Sequence, residues 1–146
     1  MRLLIFSDVH GNLEALQAVL SQAERERVDR SIMLGDSVGY GPDPVQCLHE
    51  IRRSAEVVLA GNHDWGAISL TDISYFNPYA RAAILWTRDQ LSDWEIGYLS
   101  QLPLLHVAGD FFLCIPLPAI RKDGTISSPW KRLIRPFLTS RERYAS

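Results

Sequence analysis

Cysteine is scarce in this chain, with only Cys47 and Cys114 among 146 residues. So low a count, at such separation, excludes a disulfide framework and points to reduced thiols in a cytoplasmic protein. No apolar run approaches the roughly 20 residues of a membrane span. The opening MRLLIF is too short for a signal-peptide core and runs straight into Asp8, so export is not expected. Low-complexity tracts are also lacking. At 47% hydrophobic and 22% charged, the composition is that of a globular chain, long enough for one domain with a real core.

Lysine is equally rare, and its placement is informative. Lys122 and Lys131 both lie near the end, with half of the prolines. Residues 1–113 carry 8 basic and 15 acidic side chains, whereas 114–146 carry 7 and 2. The net charge of −2 therefore hides an acidic body and a basic tail. No convincing periodicity follows Leu113. Two segments are expected, 1–113 and 114–146.

Before the break the pattern is regular. RLLIF (2–6) is a short apolar run, as for a strand buried on both faces. Asn12 can cap a helix over about 13–26, with Leu13, Leu16, Val19, Leu20 and Ala23 on one face. RSIMLG (30–35) and EVVLAG (56–61) read as further strands, and a helix starting near Pro44 puts Val45, Leu48 and Ile51 on one side. This βαβαβ order predicts an α/β fold that begins with a parallel sheet. Helices are expected after Asn77-Pro78 and after Ser92, the second ended by Pro103, then a hairpin around Gly109-Asp110.

Each predicted strand ends in polar residues beside a glycine: Asp8 and His10, then Asp36, then Asn62, His63 and Asp64. Taken singly they have plain explanations. Asp36 could form an Asx turn, Asn62 could cap a helix, and Asp64 could satisfy backbone amides. In a parallel sheet, however, such strand ends converge in one crevice, where clustered carboxylates are costly unless cations neutralise them. Oxygen and nitrogen donors without thiolate favour Mn, Fe, Zn, Co or Ni over an all-oxygen Ca or Mg cage. Two ions are suggested, bridged by Asp36, with Asp8 and His10 on one and Asn62 on the other. A pair about 3.5–4 Å apart provides hydroxide near neutral pH and clamps an in-line displacement at phosphorus.

DVHGN, GDSVGYGPDP and GNHD, in that order and 26–28 residues apart, resemble the motifs of the calcineurin-like metallophosphoesterases. The likeness extends over residues 1–113 and includes WTRDQLS, and it is strongest to the small bacterial and archaeal phosphodiesterase/phosphatase branch. The resemblance implies a truncated four-layer αββα fold and a dinuclear centre, Mn favoured, acting on a small phosphorylated substrate. It assigns Asp8, His10, Asp36 and Asn62 as ligands. His63 would stabilise the transition state or protonate the leaving oxygen, and Asp64 would orient the His63 ring. In GYGPDP, Tyr40 is a candidate for stacking at the rim, beside a plain role in a rigid turn.

The family's later histidine motifs are absent from the sequence. His49 reads as a surface or packing residue, and His106 precedes the place where a ligand is expected. Impaired activity is therefore anticipated. A base lost near the codon of Leu113 accounts for the break. LCIPLPAIRKDGTI, re-read out of register with free third bases, can give Leu-Val-His-Ser-Ser-Pro-Arg-Asp-Pro-Glu-Gly-Trp-Asp-Tyr-Leu, which resembles the missing motif. On this hypothesis, which resequencing the locus tests, 114–146 is out of frame and poorly ordered. Two other readings compete. One is a non-catalytic module whose basic tail contacts nucleic acid, although Trp130, Phe137 and Tyr144 are too scattered to form a stacking surface. The other is a degenerate product with exposed apolar surface.

Overall fold

The computed structural model describes residues 1–108 and 111–114, with the backbone of 119–120 and 126–127. It divides into two units, Met1–Ile115 and Pro116–Ser146. The first unit carries β1 (Leu3–Phe6), α1 (Leu13–Arg25), β2 (Arg30–Met33), α2 (Pro44–Ser54) and β3 (Val57–Val58). It continues with α3 (Asn62–Ala67), α4 (Pro78–Gln90), α5 (Asp93–Ser100) and a hairpin of β4 (His106–Ala108) and β5 (Phe111–Leu113). In the second unit, β6 (Ala119–Ile120) pairs antiparallel with β7 (Ile126–Ser127). The expectation of a poorly ordered, out-of-frame tail otherwise falls outside the described residues.

The expected parallel start is present. Strands lie in the order β1-β2-β3, with Leu3 opposite Arg30, Phe6 opposite Met33 and Met33 opposite Val58. Asn12 caps α1 by accepting the Ala15 N–H at 3.0 Å. Asn77 does the same for α4 through Ala80, and Ser92 with Glu95 closes the first turn of α5. β3 is shorter than its apolar run. Leu59 still donates to Met33 O, but the next N–H, of Ala60, turns away to Pro103 O at 2.9 Å.

One cluster joins Leu16 of α1, Met33 of β2, and Cys47 and Ile51 of α2, so both crossover helices cover the same sheet face. A second joins Val38, Leu48, Ala67, Ile84, Leu91 and Leu99, drawing α2, α3, α4 and α5 around the loop after β2. The expectation that β1 is buried on both faces needs correction. Leu4 and Phe6 face the helices, whereas Leu3 and Ile5 are 41% and 45% exposed. Their face opens on an apolar cavity of about 650 Å³ that Ile32, Val107 and Phe111 also line. The period-two alternation of the strand puts these side chains on the side the crossover helices do not cover.

Candidate metal centre

The site is built from the loops that leave β1, β2 and β3. The first two zip together beyond their strands: Asp8 N–H donates to Gly35 O at 3.0 Å, His10 N–H to Asp36 O at 2.9 Å, and Gly11 N–H to Ser37 O at 3.0 Å. Gly61, at the end of the third, lies so close that a Cβ there would meet Asp36 Oδ1 at 2.0 Å. Only glycine lets the third loop reach Asp36. Asp8, His10 and Asp36 adopt φ of +57°, +50° and +59°, the left-handed region that costs an L-residue energy. Three candidate ligands share this strain. Strain of this kind clusters where surrounding structure holds side chains for function.

The side chains converge. One donor atom each from Asp8, His10 and Asp36 lies within 4.8 Å of the other two. His10 Nε2 stands 3.6 Å from Asp8 Oδ1, while its Nδ1 bonds Val38 O at 3.1 Å. A carbonyl only accepts, so Nδ1 carries a proton, and in the neutral ring the lone pair is on Nε2, toward the acids. Asp8 is open to solvent and accepts from the Ser7 hydroxyl. Asp36 is buried, and its Oδ1 accepts the His63 N–H at 2.9 Å. Burial pushes the Asp36 carboxyl above its ordinary range, against the pull of that N–H and of His10. A mixed oxygen and nitrogen donor set, with a lone-pair nitrogen and a desolvated carboxylate, fits a divalent cation.

Asn62 and His63 open α3 beside this cluster, Asn62 half-buried and His63 almost wholly buried. The His63 ring packs against His10, Tyr40 and Phe76 at centroid distances of 4.5, 5.0 and 5.1 Å. Burial first, then the charge of His10, lower the His63 pKa to about 4, so its imidazole is neutral at pH 7. Among the described residues its Nδ1 finds no hydrogen-bond partner. Tyr40, 52% exposed, also packs on His10 and forms the outer edge of the group.

Of the two readings of Asp64, the structure shows the plainer one, a carboxylate that satisfies backbone amides. Its Oδ2 accepts N–H bonds from Asp36 and Gly61, both at 2.8 Å. Its Oδ1 accepts those of Ser37 and Val38 at 2.9 and 3.1 Å. The carboxylate is fully buried and ties the β2 loop to the start of α3. Each of the two oxygens thus takes two backbone amides. Burial, then the nearby Asp36, push Asp64 up to about 7, while these N–H groups favour its charged form.

His49 lies away from this group and bonds Glu95 at 2.9 Å; His106 lines the apolar cavity of the sheet face. Gly39 is the residue that the sequence reading passed over. At φ +137°, a Cβ there would lie 2.6 Å from His63 Nδ1 and 2.8 Å from His10 Nδ1. The only sequence signal was a glycine already accounted for by the turn.

The chain belongs to the calcineurin-like phosphoesterase family, whose model matches residues 1–138. It is 48% identical to a metallophosphoesterase of Sphaerobacter thermophilus, with a TM-score of 0.65 over 77% of this chain and 45% of that one. An uncharacterized protein of Methanocaldococcus jannaschii is 40% identical over 69% of this chain and 42% of its own. A symmetrical bis(5'-nucleosyl)-tetraphosphatase of Pectobacterium carotovorum is 34% identical over 77% of this chain and 41% of its own. The chain thus spans less than half the length of these relatives.

Proposed function

We propose that this chain carries a metal-dependent phosphoesterase centre for phosphomonoesters or phosphodiesters. The observation that carries the reading is the convergence of Asp8, His10 and Asp36 donor atoms within 4.8 Å. Asp8 and His10 would hold one divalent cation, Asn62 a second, and Asp36 would bridge them. Such ions, Mn favoured, supply positive charge at the phosphoryl oxygens and lower the pKa of an attacking water.

The protein's own groups have narrower tasks. His10 presents Nε2 because Val38 O holds the proton on Nδ1. His63 is neutral near pH 7, so it acts by donating an N–H to developing charge at the phosphoryl group, not as a cationic acid. Its unpartnered Nδ1 is best left as the lone-pair nitrogen, since a buried acceptor without a partner is less costly than a donor, and Nε2 then bears the proton. Tyr40 offers an exposed ring at the edge of the site for a flat leaving group.

Dinucleoside polyphosphates are the first substrates to assay, given the name of the Pectobacterium relative. The cytoplasm is the expected compartment. Among the described residues no helix is long and apolar enough to cross a membrane. The nucleic-acid reading depends on the basic tail, outside those residues. Hydrolysis of a chromogenic phosphodiester with added Mn²⁺ tests the proposal. Turnover that Asp36→Asn abolishes supports it; turnover unaffected by Asp36→Asn or by EDTA defeats it.

A further inference from the structure

Two consecutive side chains of α4 reach back to the centre from outside it. Thr87, fully buried, donates its hydroxyl to Gly39 O at 3.2 Å, across 48 positions of sequence. Arg88 bonds Gly66 O at 2.9 Å through one terminal nitrogen and Ala67 O at 3.1 Å through Nε. We infer that Thr87 and Arg88 are positioning residues of the metal centre, one setting the His10 and His63 rings through Gly39, the other setting α3.

The geometry explains why a distant helix matters to these groups. Gly39 leaves no room beside the Nδ1 atoms of His10 and His63, so a shift of its backbone displaces both rings. Val38 O, one peptide earlier, fixes which nitrogen of His10 is free. Thr87 thus pins the peptide that adjoins the one orienting a ligand. α3 is only six residues long, with Asn62, His63 and Asp64 in its first turn. Its last turn closes with the Ser69 N–H on Gly66 O at 3.2 Å, and the guanidinium adds a bond to that carbonyl, takes Ala67 O as well, and complements the helix dipole. In so short a helix, holding the last turn sets the first. Because the two residues are adjacent on α4, one rigid element fixes the glycine loop and α3 together.

The inference rests on the metal-centre reading, and the test separates the two. Mn²⁺ affinity is measured by calorimetry on the full chain for wild type, Thr87→Val, Thr87→Ser, Arg88→Met and Arg88→Lys. Ile51→Val, a core change in α2, controls for lost stability. Thr87→Val and Arg88→Met should bind Mn²⁺ about tenfold more weakly, the usual loss when a partner of a ligand is removed. Thr87→Ser should regain wild-type affinity, Arg88→Lys should regain part of it, and Ile51→Val should bind as wild type does. Unchanged affinity in Thr87→Val and Arg88→Met, or an equal loss in Ile51→Val, overturns the inference. A wild type that binds no Mn²⁺ overturns the metal reading instead. The clamp is then judged by amide exchange in metal-free protein. Faster exchange at Gly39 in Thr87→Val, and at 62–64 in Arg88→Met, supports it; unchanged exchange overturns it.

Discussion

Asp64 holds Asp36 by its backbone: Oδ2 takes the Asp36 N–H at 2.8 Å, and the adjoining Ser37 N–H goes to Oδ1 at 2.9 Å. The two carboxylates therefore do different work. Asp36 presents its side chain to the site, and Asp64 shapes the loop that aims it. Asp64→Asn puts an NH₂ donor against two of four buried N–H groups. It should cost about 2–4 kcal/mol of stability, read as a lower denaturation midpoint. A variant as stable as wild type would contradict this assignment.

Gly39→Ala is expected to fail at the centre before it fails elsewhere. The added methyl would lie inside 3 Å of both imidazoles, on a backbone at φ +137° that alanine resists. A loss of about 1–3 kcal/mol is expected from the strain alone. Mn²⁺ affinity should fall with it, and calorimetry on the refolded variant checks both.

The buried imidazole gives a pH dependence with a definite sign. The His63 pKa is lowered from 6.5 to about 4, so between those values the unfolded chain takes up a proton that the folded one refuses. The stability it contributes is complete above pH 6.5 and is lost as pH falls toward 4. Asp64, raised from 3.8 to about 7, acts oppositely: its contribution is complete at low pH and is lost as pH rises through 7. The net curve is therefore shallow, and the ring itself is the better reporter. Imidazole NMR of metal-free protein should show His63 still neutral at pH 5.5. A midpoint near 6.5 would refute the account of its burial.

The thiols offer a simpler check. Cys47 is wholly buried in the α1–α2 core, and burial, reinforced by Asp43, pushes its pKa up to about 12. In folded protein at pH 8 it should resist iodoacetamide, while Cys114, which is half-buried, reacts first. Urea should make both reactive at similar rates. Rapid labelling of Cys47 without denaturant would show that the core opens.

Much of this arrangement was legible because its signals are local. Asn12, Asn77 and Ser92 announced their helices through short-range caps, and the glycines at 35 and 61 marked the close loop approach. Asp8, His10 and Asp36 were recognised as a set because parallel strands bring their ends together, and the structure joins their donor atoms. What stayed hidden depended on long-range competition. GNHD allowed Asp64 to satisfy backbone amides, but it does not say that three of them lie 26–28 positions earlier. A helix here was signalled only by Asn62 as a possible cap; α3 instead starts from Gly61, and its six residues carry no apolar period to mark it. The exposure of Leu3 and Ile5 also escaped, since an apolar run names what resists water, not what covers it.

The most direct test of the metal centre is anomalous diffraction at the manganese edge from crystals grown with Mn²⁺. The account predicts a peak within about 2.0–2.4 Å of donor atoms from Asp8, His10 and Asp36, absent from Asp36→Asn crystals. Manganese found only elsewhere, with those three side chains hydrated and unliganded, would contradict it.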